Sequence, residues 1–263
     1  MKAVIMAGGF GTRLQPLTRS LPKPMLPLLD RPTLAYIVDW LVSHQITDLM
    51  VTTCYLSDAI QSYFQTGERF GARMHYSYES VPLGTAGGIK AVHEFLTDTF
   101  VVMSGDGMTD FDLTQALAYH RQKGALATVL LTSMACPLGY GIVQLDPQGY
   151  IERFIEKPQT WQQGERYLVN TGIYIFEPEV LRYIPEGFPC DFGRDLFPRF
   201  VEEGFPLYGY EAQGYWSDIG TLHQYYQTQL DMLNGRVRVK LPSEVKVLTR
   251  NAERPLSSAQ RMG

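Results

Sequence analysis

Cysteine is scarce in this chain of 263 residues, and the three cysteines stand far apart at Cys54, Cys136 and Cys190. The odd count and the absence of any CxxC pair argue against a disulfide framework and against a structural zinc site. Dispersed thiols of this kind are typical of proteins from a reducing compartment. The sequence therefore predicts buried, free cysteines.

Long apolar runs and excess positive charge are also missing. No apolar stretch approaches the ~20 residues that a helix needs to cross a bilayer, and the run from Ala3 to Ala7 is too short for a signal-peptide core. We therefore expect a cytoplasmic protein without a membrane partner. Lysine and arginine number 23 against 27 acidic residues, and the resulting net charge of -4 disfavours a nucleic-acid partner.

The rest of the composition, with 45% hydrophobic and 19% charged residues, is that of a globular protein and excludes disorder and coiled coil. At about 100–200 residues per domain, the length predicts one large domain or two modest ones. Up to about residue 112, short apolar runs alternate with segments of helical period, which predicts an α/β fold with a doubly wound, mainly parallel sheet. The predicted strands are Lys2–Met6, Asp48–Thr53, Arg73–Tyr78 and Thr99–Met103, and the predicted helices are Thr33–Gln45, Asp58–Phe64 and Ala86–Phe95.

The second half has more strands and fewer helices between them, so we expect a mixed α+β part laid against the first half. Its predicted strands are Ala127–Leu131, Tyr140–Leu145, Tyr150–Ile155 and Gly172–Phe176. Its predicted helices are Leu113–Lys123, Pro178–Tyr183, Arg194–Glu203 and Thr221–Leu233.

A glycine-rich loop, with Gly8, Gly9 and Gly11, follows the first strand directly. Glycine permits positive φ and lets backbone N–H groups approach an anion closely. The spacing is not that of a P-loop, and Leu14 stands where the third glycine of a dinucleotide-binding GxGxxG would be. That departure disfavours an NAD-dependent oxidoreductase. Taken alone, the loop is compatible both with a phosphate site and with a plain turn.

Two basic residues in the same segment favour the phosphate site. Arg13 lies within the loop, and Lys23 lies between Pro22 and Pro24, which restrict its backbone. Cations beside glycine N–H groups offset the charge that develops in phosphoryl transfer. The segment therefore indicates a site for a phosphate chain, with solvated surface charge as the weaker alternative.

The segment AGGFGTRLQPLTRSLPKPM at 7–25 resembles the N-terminal signature of the sugar-1-phosphate nucleotidyltransferases, or nucleotide-sugar pyrophosphorylases. The resemblance extends to about residue 234, through PLGTAGG at 82–88, GD at 105–106, EKP at 156–158, NTG at 170–172 and WSDIG at 216–220. PLGTAGG, VMSGDGMTDFDL and CDFGRDLFPRF are most similar to the mannose-1-phosphate guanylyltransferase branch. The resemblance implies a Rossmann-like fold and Mg²⁺-dependent transfer of a nucleotidyl group to a sugar 1-phosphate, with release of pyrophosphate.

The resemblance also implies a division of the chain. A catalytic domain would cover 1–234, with a nucleotide-binding half at about 1–112 and an inserted sugar-phosphate half at about 113–234. A C-terminal tail, 235–263, would follow and end in a frayed polar stretch. Partners would be a nucleoside triphosphate and a sugar 1-phosphate, and homo-oligomerisation is left open.

Individual site residues follow from the same resemblance. The nucleotide would bind at Ala7, Gly8, Gly9, Gly11, Thr12, Arg13, Glu79, Pro82, Gly84, Thr85 and Gly88. The sugar phosphate would bind at Glu156, Lys157, Asn170 and Gly172. Arg13, Lys23, Asp106 and Lys157 would be catalytic, and Asp106 and Asp218 would hold Mg²⁺.

The two acidic residues also have a physical interpretation. Asp106 follows the apolar strand TFVVMSG, at the end of a central strand where open α/β sheets bind ligands. Mg²⁺ is typically held by one or two carboxylates plus phosphate oxygens. A lone aspartate there is equally compatible with a turn or a helix cap, and the sequence does not show whether Asp106 and Asp218 meet. A nearby third acid, Asp110, is interpreted as a turn or helix-start residue.

Glu79 stands just before the loop expected over the nucleobase. A carboxylate accepts two hydrogen bonds, and the Watson–Crick edge of guanine offers two donors where uracil and thymine offer one. If Glu79 points inward, it favours GTP. The resemblance to the mannose-1-phosphate guanylyltransferase branch implies mannose 1-phosphate as the sugar. Alternatives are UTP or dTTP with glucose 1-phosphate, GTP with a heptose 1-phosphate, and a non-catalytic nucleotide-sugar-sensing subunit.

Overall fold

The fold is known from a computed structural model that describes residues 1–162 and 164–240. The strands are β1 (Lys2–Met6), β2 (Pro27–Leu28), β3 (Arg31–Pro32), β4 (Asp48–Thr53), β5 (Arg73–Tyr78), β6 (Phe100–Ser104), β7 (Gly107–Thr109), β8 (Ala127–Met134), β9 (Ile142–Leu145), β10 (Ile151–Ile155), β11 (Tyr167–Phe176), β12 (Leu207–Glu211) and β13 (Trp216–Asp218). The α-helices are α1 (Thr33–Ser43), α2 (Ser57–Phe64), α3 (Gly84–Lys90), α4 (Leu113–Lys123), α5 (Phe197–Glu203) and α6 (Leu222–Leu233).

One mixed sheet of nine strands runs through both halves of the described chain. Its main path is β10–β9–β11–β6–β1–β4–β5, and β8 and β12 join it through β11. The strands β6, β1, β4 and β5 are parallel to one another, whereas β11 is antiparallel to β6. The α/β fold class expected from the sequence is therefore confirmed.

Helices cover both faces of this sheet. Ala3 and Ile5 of β1 pack in one hydrophobic core with residues of α1, α2 and α4. Val4 faces the other way and packs in a second core with residues of α3 and α5. A strand that is buried on both faces has an uninterrupted apolar sequence. This explains why β1 is recognisable from its residues alone, and it confirms the doubly wound arrangement.

Several boundaries differ from the sequence prediction. The predicted helix Ala86–Phe95 is α3 followed by a separate 3-10 turn, His93–Phe95. The predicted helix Arg194–Glu203 is a π-helical turn, Phe192–Leu196, that leads into α5. The prediction also missed the two-residue strands β2 and β3 and the strands β7, β12 and β13, and the predicted helix Pro178–Tyr183 is a 3-10 helix. The strands β7 and β13 have three residues each, which is too short to show an alternating pattern. Their pairing is therefore visible only in the tertiary structure.

The three cysteines form no disulfide, as expected, but only Cys190 is buried. Cys54 is half-buried, and Cys136 is exposed. Cys136 lies in the connection between β8 and β9, outside both hydrophobic cores. The prediction of buried thiols is therefore wrong for Cys136.

The beginning of the predicted tail packs against the body of the protein. Val237 is 5% exposed and belongs to a third buried cluster with Met108, Ile219 and Met232. The polar end that is expected to be frayed lies outside the described residues. Within residues 1–162 and 164–240, no helix is both long and apolar enough to cross a membrane.

Candidate active site

The main candidate site is a cavity of about 340 Å³ at the carboxyl ends of β1 and β6. These strands are parallel, and their register pairs Met6 with Ser104. The loops that follow them are therefore side by side, and the N–H of Gly105 donates to the Met6 carbonyl at 2.9 Å. Predicted residues that line the cavity are Ala7, Gly8, Gly9, Lys23, Glu79, Pro82, Gly84, Thr85, Gly88 and Asp106.

The glycine-rich loop is a tight turn that requires its third glycine. Gly11 has a φ of 63°, and a Cβ at this position would lie 2.9 Å from Thr18 Cγ2. The Thr18 hydroxyl donates to the Gly11 carbonyl at 2.8 Å. Leu14 is fully buried, so it anchors the 3-10 turn Thr12–Leu14 that carries Arg13. The loop therefore departs from GxGxxG because a core side chain takes the place of the last glycine.

Lys23 joins the loop to both predicted metal-binding carboxylates. It begins a 3-10 turn that is framed by the two neighbouring prolines. Its Nζ donates to the Asp106 carboxylate and lies 3.6 Å from Asp218 Oδ1. The Ser104 hydroxyl also donates to Asp106. The structure therefore brings together a cation and two acids that are far apart in the sequence.

Asp106 and Asp218 meet because β7 pairs with β13. The antiparallel register places Asp218 opposite Gly107, and the N–H of Ile219 donates to the Asp106 carbonyl at 3.1 Å. Burial, and secondly the charge of Asp106, raise the pKa of Asp218, while Lys23 and Arg13 act in the opposite direction.

The glycine of WSDIG gives Arg13 access to this acid. A Cβ at Gly220 would lie 2.9 Å from Asp218 Oδ2 and 3.1 Å from Arg13 Nη2. A side chain at this position would crowd the ends of both Asp218 and Arg13. The guanidinium of Arg13 therefore lies close enough to oppose the rise in the pKa of Asp218, beside Lys23 and the two carboxylates.

The donor set at this centre suits a divalent ion that prefers oxygen. Two carboxylates are the number that Mg²⁺ commonly takes from a protein when substrate phosphates supply further ligands. Within residues 1–162 and 164–240, no cluster of three or more metal-ligating side chains occurs. Protein side chains alone therefore do not complete the coordination of an ion in these described residues. This is compatible with an ion that takes its remaining ligands from a bound substrate phosphate.

The loop from Pro82 to Gly88 closes another wall of the cavity. Gly84 has a φ of 76°, and a Cβ there would lie 2.5 Å from the Cys190 carbonyl oxygen. Glu79 points toward this loop: its Oε2 accepts from the Leu83 N–H at 3.2 Å, and a Cβ at Gly88 would lie 2.5 Å from its Oε1. Burial raises the pKa of Glu79, opposed by the Leu83 hydrogen bond.

The four predicted sugar-phosphate residues form two contacting pairs outside the lining of the main cavity. Glu156 Oε1 lies 3.0 Å from Lys157 Nζ. Asn170 Oδ1 accepts from the Gly172 N–H at 2.9 Å, where β11 shifts register. A Cβ at Gly172 would lie 3.4 Å from the Cβ of Ser104, so this bulge adjoins the strand end that leads to Asp106. Among the described residues that line the main cavity, none of these four appears.

The sequence reasoning missed two residues at the site. Asp191 lines the cavity, and its Oδ2 accepts from the Thr85 hydroxyl at 2.8 Å. Asp191 belongs to the segment CDFGRDLFPRF, which resembles one branch of the family but does not by itself indicate that this residue lies at the site. Tyr140 accepts from Gln224 Nε2 at 2.6 Å, and burial and the charge of Asp218 raise its pKa. No local pattern singles out this tyrosine among 16.

Comparison with known proteins matches residues 2–235 to the Nucleotidyl transferase family. The UTP–glucose-1-phosphate uridylyltransferase of Synechocystis is 41% identical over 257 residues, which cover 92% of this chain and 66% of that protein. Mannose-1-phosphate guanyltransferase beta-A of Xenopus laevis is 38% identical over 225 residues, covering 84% and 61%. The chain thus spans somewhat less than two thirds of the length of these curated relatives.

A similar solved structure is that of a Bacillus anthracis protein described as a glucose-1-phosphate thymidylyltransferase, in complex with sucrose. The TM-score is 0.77 at 28% identity, and the match covers 87% of this chain and 94% of that chain.

Proposed function

Because the chain belongs to the nucleotidyl transferase family, we propose that it transfers a nucleotidyl group from a nucleoside triphosphate to a sugar 1-phosphate and releases pyrophosphate. One observation carries the proposal. The ammonium of Lys23 lies between the carboxylates of Asp106 and Asp218 at the mouth of a glycine-rich loop. Such a centre suits a phosphate chain that is bound together with a divalent ion.

The reaction is a direct in-line displacement. An oxygen of the sugar 1-phosphate attacks the α-phosphorus, the bond from that phosphorus to the β-phosphate oxygen breaks, and pyrophosphate leaves. The attacking phosphate is already ionised at neutral pH, so the step requires no general base. Arg13 and Lys23 bind the triphosphate, and Lys157, whose side chain is 65% exposed, holds the incoming phosphate.

We assign a divalent ion, Mg²⁺ by preference, to Asp106 and Asp218. The ion, when bound, supplies positive charge against the phosphate oxygens. The ammonium of Lys23 offsets part of the negative charge of the two carboxylates in the structure. Lys23 therefore has to share these acids with the ion, or turn toward the phosphates, when substrate binds.

For the substrate pair we propose GTP and mannose 1-phosphate. Glu79 supports guanine because its carboxylate lines the cavity and one of its oxygens, Oε1, faces Gly88. The second candidate is UTP with glucose 1-phosphate, and it is favoured by the 41% identity to the Synechocystis enzyme. The two candidates differ in the number of donors that the base presents to Glu79.

The deciding experiment measures pyrophosphate release with GTP, UTP and dTTP, each with mannose, glucose and heptose 1-phosphates, in the presence of Mg²⁺. We expect the highest kcat/KM with GTP and mannose 1-phosphate. A preference for UTP would overturn the guanine assignment but retain the reaction. Absence of turnover with every pair would contradict the reaction and favour a sensing subunit.

The matched variant for this assay is Glu79→Gln. An amide offers one acceptor and one donor in the place of two acceptors. We expect it to lower kcat/KM for GTP by about 5- to 160-fold, the equivalent of about 1–3 kcal/mol for an unpaired donor. The rate with UTP should change much less. Equal losses with both nucleotides would contradict contact between Glu79 and the base.

A further inference from the structure

The two ion-binding carboxylates are carried by a short two-stranded ladder. Asp106 immediately precedes β7, and Asp218 ends β13. The pairing covers three residues on each strand. An isolated two-stranded ribbon is marginally stable in water, so three pairs alone do not hold two like charges together.

Asp110 closes the end of this ladder that is remote from the carboxylates. Its Oδ1 accepts from the Tyr215 N–H at 2.6 Å, just before β13 begins. In return, the Asp110 N–H donates to the Tyr215 carbonyl at 3.1 Å. The side chain is 4% exposed. The interpretation of Asp110 as a turn or helix-start residue is therefore wrong, because Asp112 is the residue that caps α4.

The second oxygen of Asp110 binds the beginning of the C-terminal tail. Asp110 Oδ2 accepts from the Arg238 N–H at 2.8 Å and lies 3.4 Å from Arg238 Nε. Val237, next to it, packs with Met108 of β7 and with Ile219, the residue after Asp218. One carboxylate thus connects β7, the approach to β13 and the tail.

We propose that Asp110 is a positioning residue for the divalent-ion site. Its two oxygens fix β13 and the tail to the end of β7, and Val237 of the tail packs with Met108 of β7 and with Ile219, the residue after Asp218. The ladder register then keeps these two acids within reach of one ion, despite their mutual repulsion. The proposal rests on the proposed function only in assigning an ion to the two carboxylates.

The test is Mn²⁺ binding to the full chain in the presence of the nucleoside triphosphate that the assay selects and without sugar 1-phosphate, monitored by electron paramagnetic resonance. Asp110→Asn keeps one acceptor oxygen and loses the other. We expect it to weaken Mn²⁺ binding by about tenfold or more, as for other residues that orient metal ligands. Asp112→Asn is the matched control: it too keeps one acceptor oxygen and loses the other, at the α4 cap where both accept from Gln115. It leaves the ladder intact, so its affinity should equal that of the wild type.

A second readout separates positioning from general stability. In Asp110→Asn the Mg²⁺ concentration for half-maximal rate should rise, while the KM for the sugar 1-phosphate stays the same. Loss of fold stability alone would not produce that split. If Asp110→Asn does not fold, the variant Arg238→Ala tests the proposal instead. It removes the guanidinium and keeps the N–H that donates to Asp110. It should weaken Mn²⁺ binding to a smaller extent than the loss of an Asp110 oxygen.

The outcomes distinguish this inference from the proposed function. If the wild type binds Mn²⁺ no better than Asp106→Asn, the ion assignment itself fails. If the wild type binds Mn²⁺ and Asp110→Asn binds it equally well, the positioning role is overturned. Unchanged affinity in Arg238→Ala overturns it in the case where Asp110→Asn is unfolded.

Discussion

At the scale of single residues, the candidate site depends on a small number of charged side chains whose positions are fixed by their neighbours. Lys23 is confined by a proline on each side and lies between two acids. Gly220 is small enough to admit Arg13 beside Asp218. Preorganised charges of this kind stabilise charge that develops in a reaction without reorganising first.

Replacement of Lys23 by methionine tests this arrangement. Lys23→Met keeps the length of the side chain and removes its charge, so kcat should fall by about 100- to 1000-fold, as when one preorganised donor is lost. The pyrophosphate-release assay measures it. We expect Asp106→Asn and Arg13→Ala to reduce turnover severely as well, with little loss of folding.

The control for Lys23→Met is Lys123→Met, because the Lys123 ammonium is exposed and donates to the Gln148 carbonyl away from the site. Its turnover should equal that of the wild type. Near-normal rates in Lys23→Met, Asp106→Asn and Arg13→Ala together would refute the catalytic assignment.

At the scale of elements, the loop from Pro82 to Gly88 and the segment Cys190–Phe192 of the second half are joined by hydrogen bonds. The Cys190 carbonyl accepts from the N–H groups of Ala86 and Gly87 at 2.9 and 3.1 Å. The Thr85 hydroxyl donates to Asp191 and accepts from the Phe192 N–H at 2.9 Å. The segment Cys190–Phe192 thereby supports the start of α3. The conformation of the loop from Pro82 to Gly88 therefore does not depend on its own sequence alone.

Thr85→Val tests that support. Valine has nearly the shape of threonine but leaves the Asp191 oxygen and the Phe192 N–H without this partner, which costs about 1–3 kcal/mol. We expect the KM for the nucleotide to rise by about 5- to 160-fold, the equivalent of that free energy, with a smaller change in kcat.

Thr99→Val is the matched control for this substitution. It also removes one hydroxyl hydrogen bond, that of Thr99 to Glu177 Oε1 at 2.7 Å, at the opposite end of β6. Its nucleotide KM should remain that of the wild type. An equal effect of both variants would show that Thr85 acts through stability rather than through the loop.

At the scale of the whole molecule, the two predicted halves are not independent. The sheet continues from β6 into β11, and Asp191 and Asp218 of the second half contribute to the site that the first half begins. The division at about residue 112 therefore stays a prediction of which ligand each half binds. We expect nucleotide binding to depend on both parts of the chain.

A buried histidine links global stability to pH. His120 of α4 is 1% exposed, with Nδ1 at 2.8 Å from Thr128 Oγ1 and Nε2 at 3.1 Å from Glu177 Oε1. Burial lowers its pKa, and Glu177 opposes the shift only in part. The unfolded chain therefore binds the proton more readily, and the free energy of unfolding should fall as pH drops below the ordinary histidine value of about 6.5.

Urea unfolding above and below that pH measures this effect. In His120→Gln, which does not titrate, part of the acid-induced loss should disappear. The exposed His223→Gln should retain the whole loss. A pH dependence that is identical in the wild type and in His120→Gln would contradict the linkage.

Local sequence patterns are enough to predict the fold class and the family, and they indicate a glycine-rich loop suited to phosphate. These features are local: a doubly buried strand is a continuous apolar run, and a loop that must approach phosphate requires glycine and cations at fixed spacing. Tertiary structure alone decided that Asp106 and Asp218 meet through β7 and β13. It also decided that Asp110 holds that ladder to the tail. The pairing of β7 with β13 joins segments more than a hundred positions apart. Strands of three residues show no periodic pattern, so only the packing of the whole chain specifies that these two strands pair.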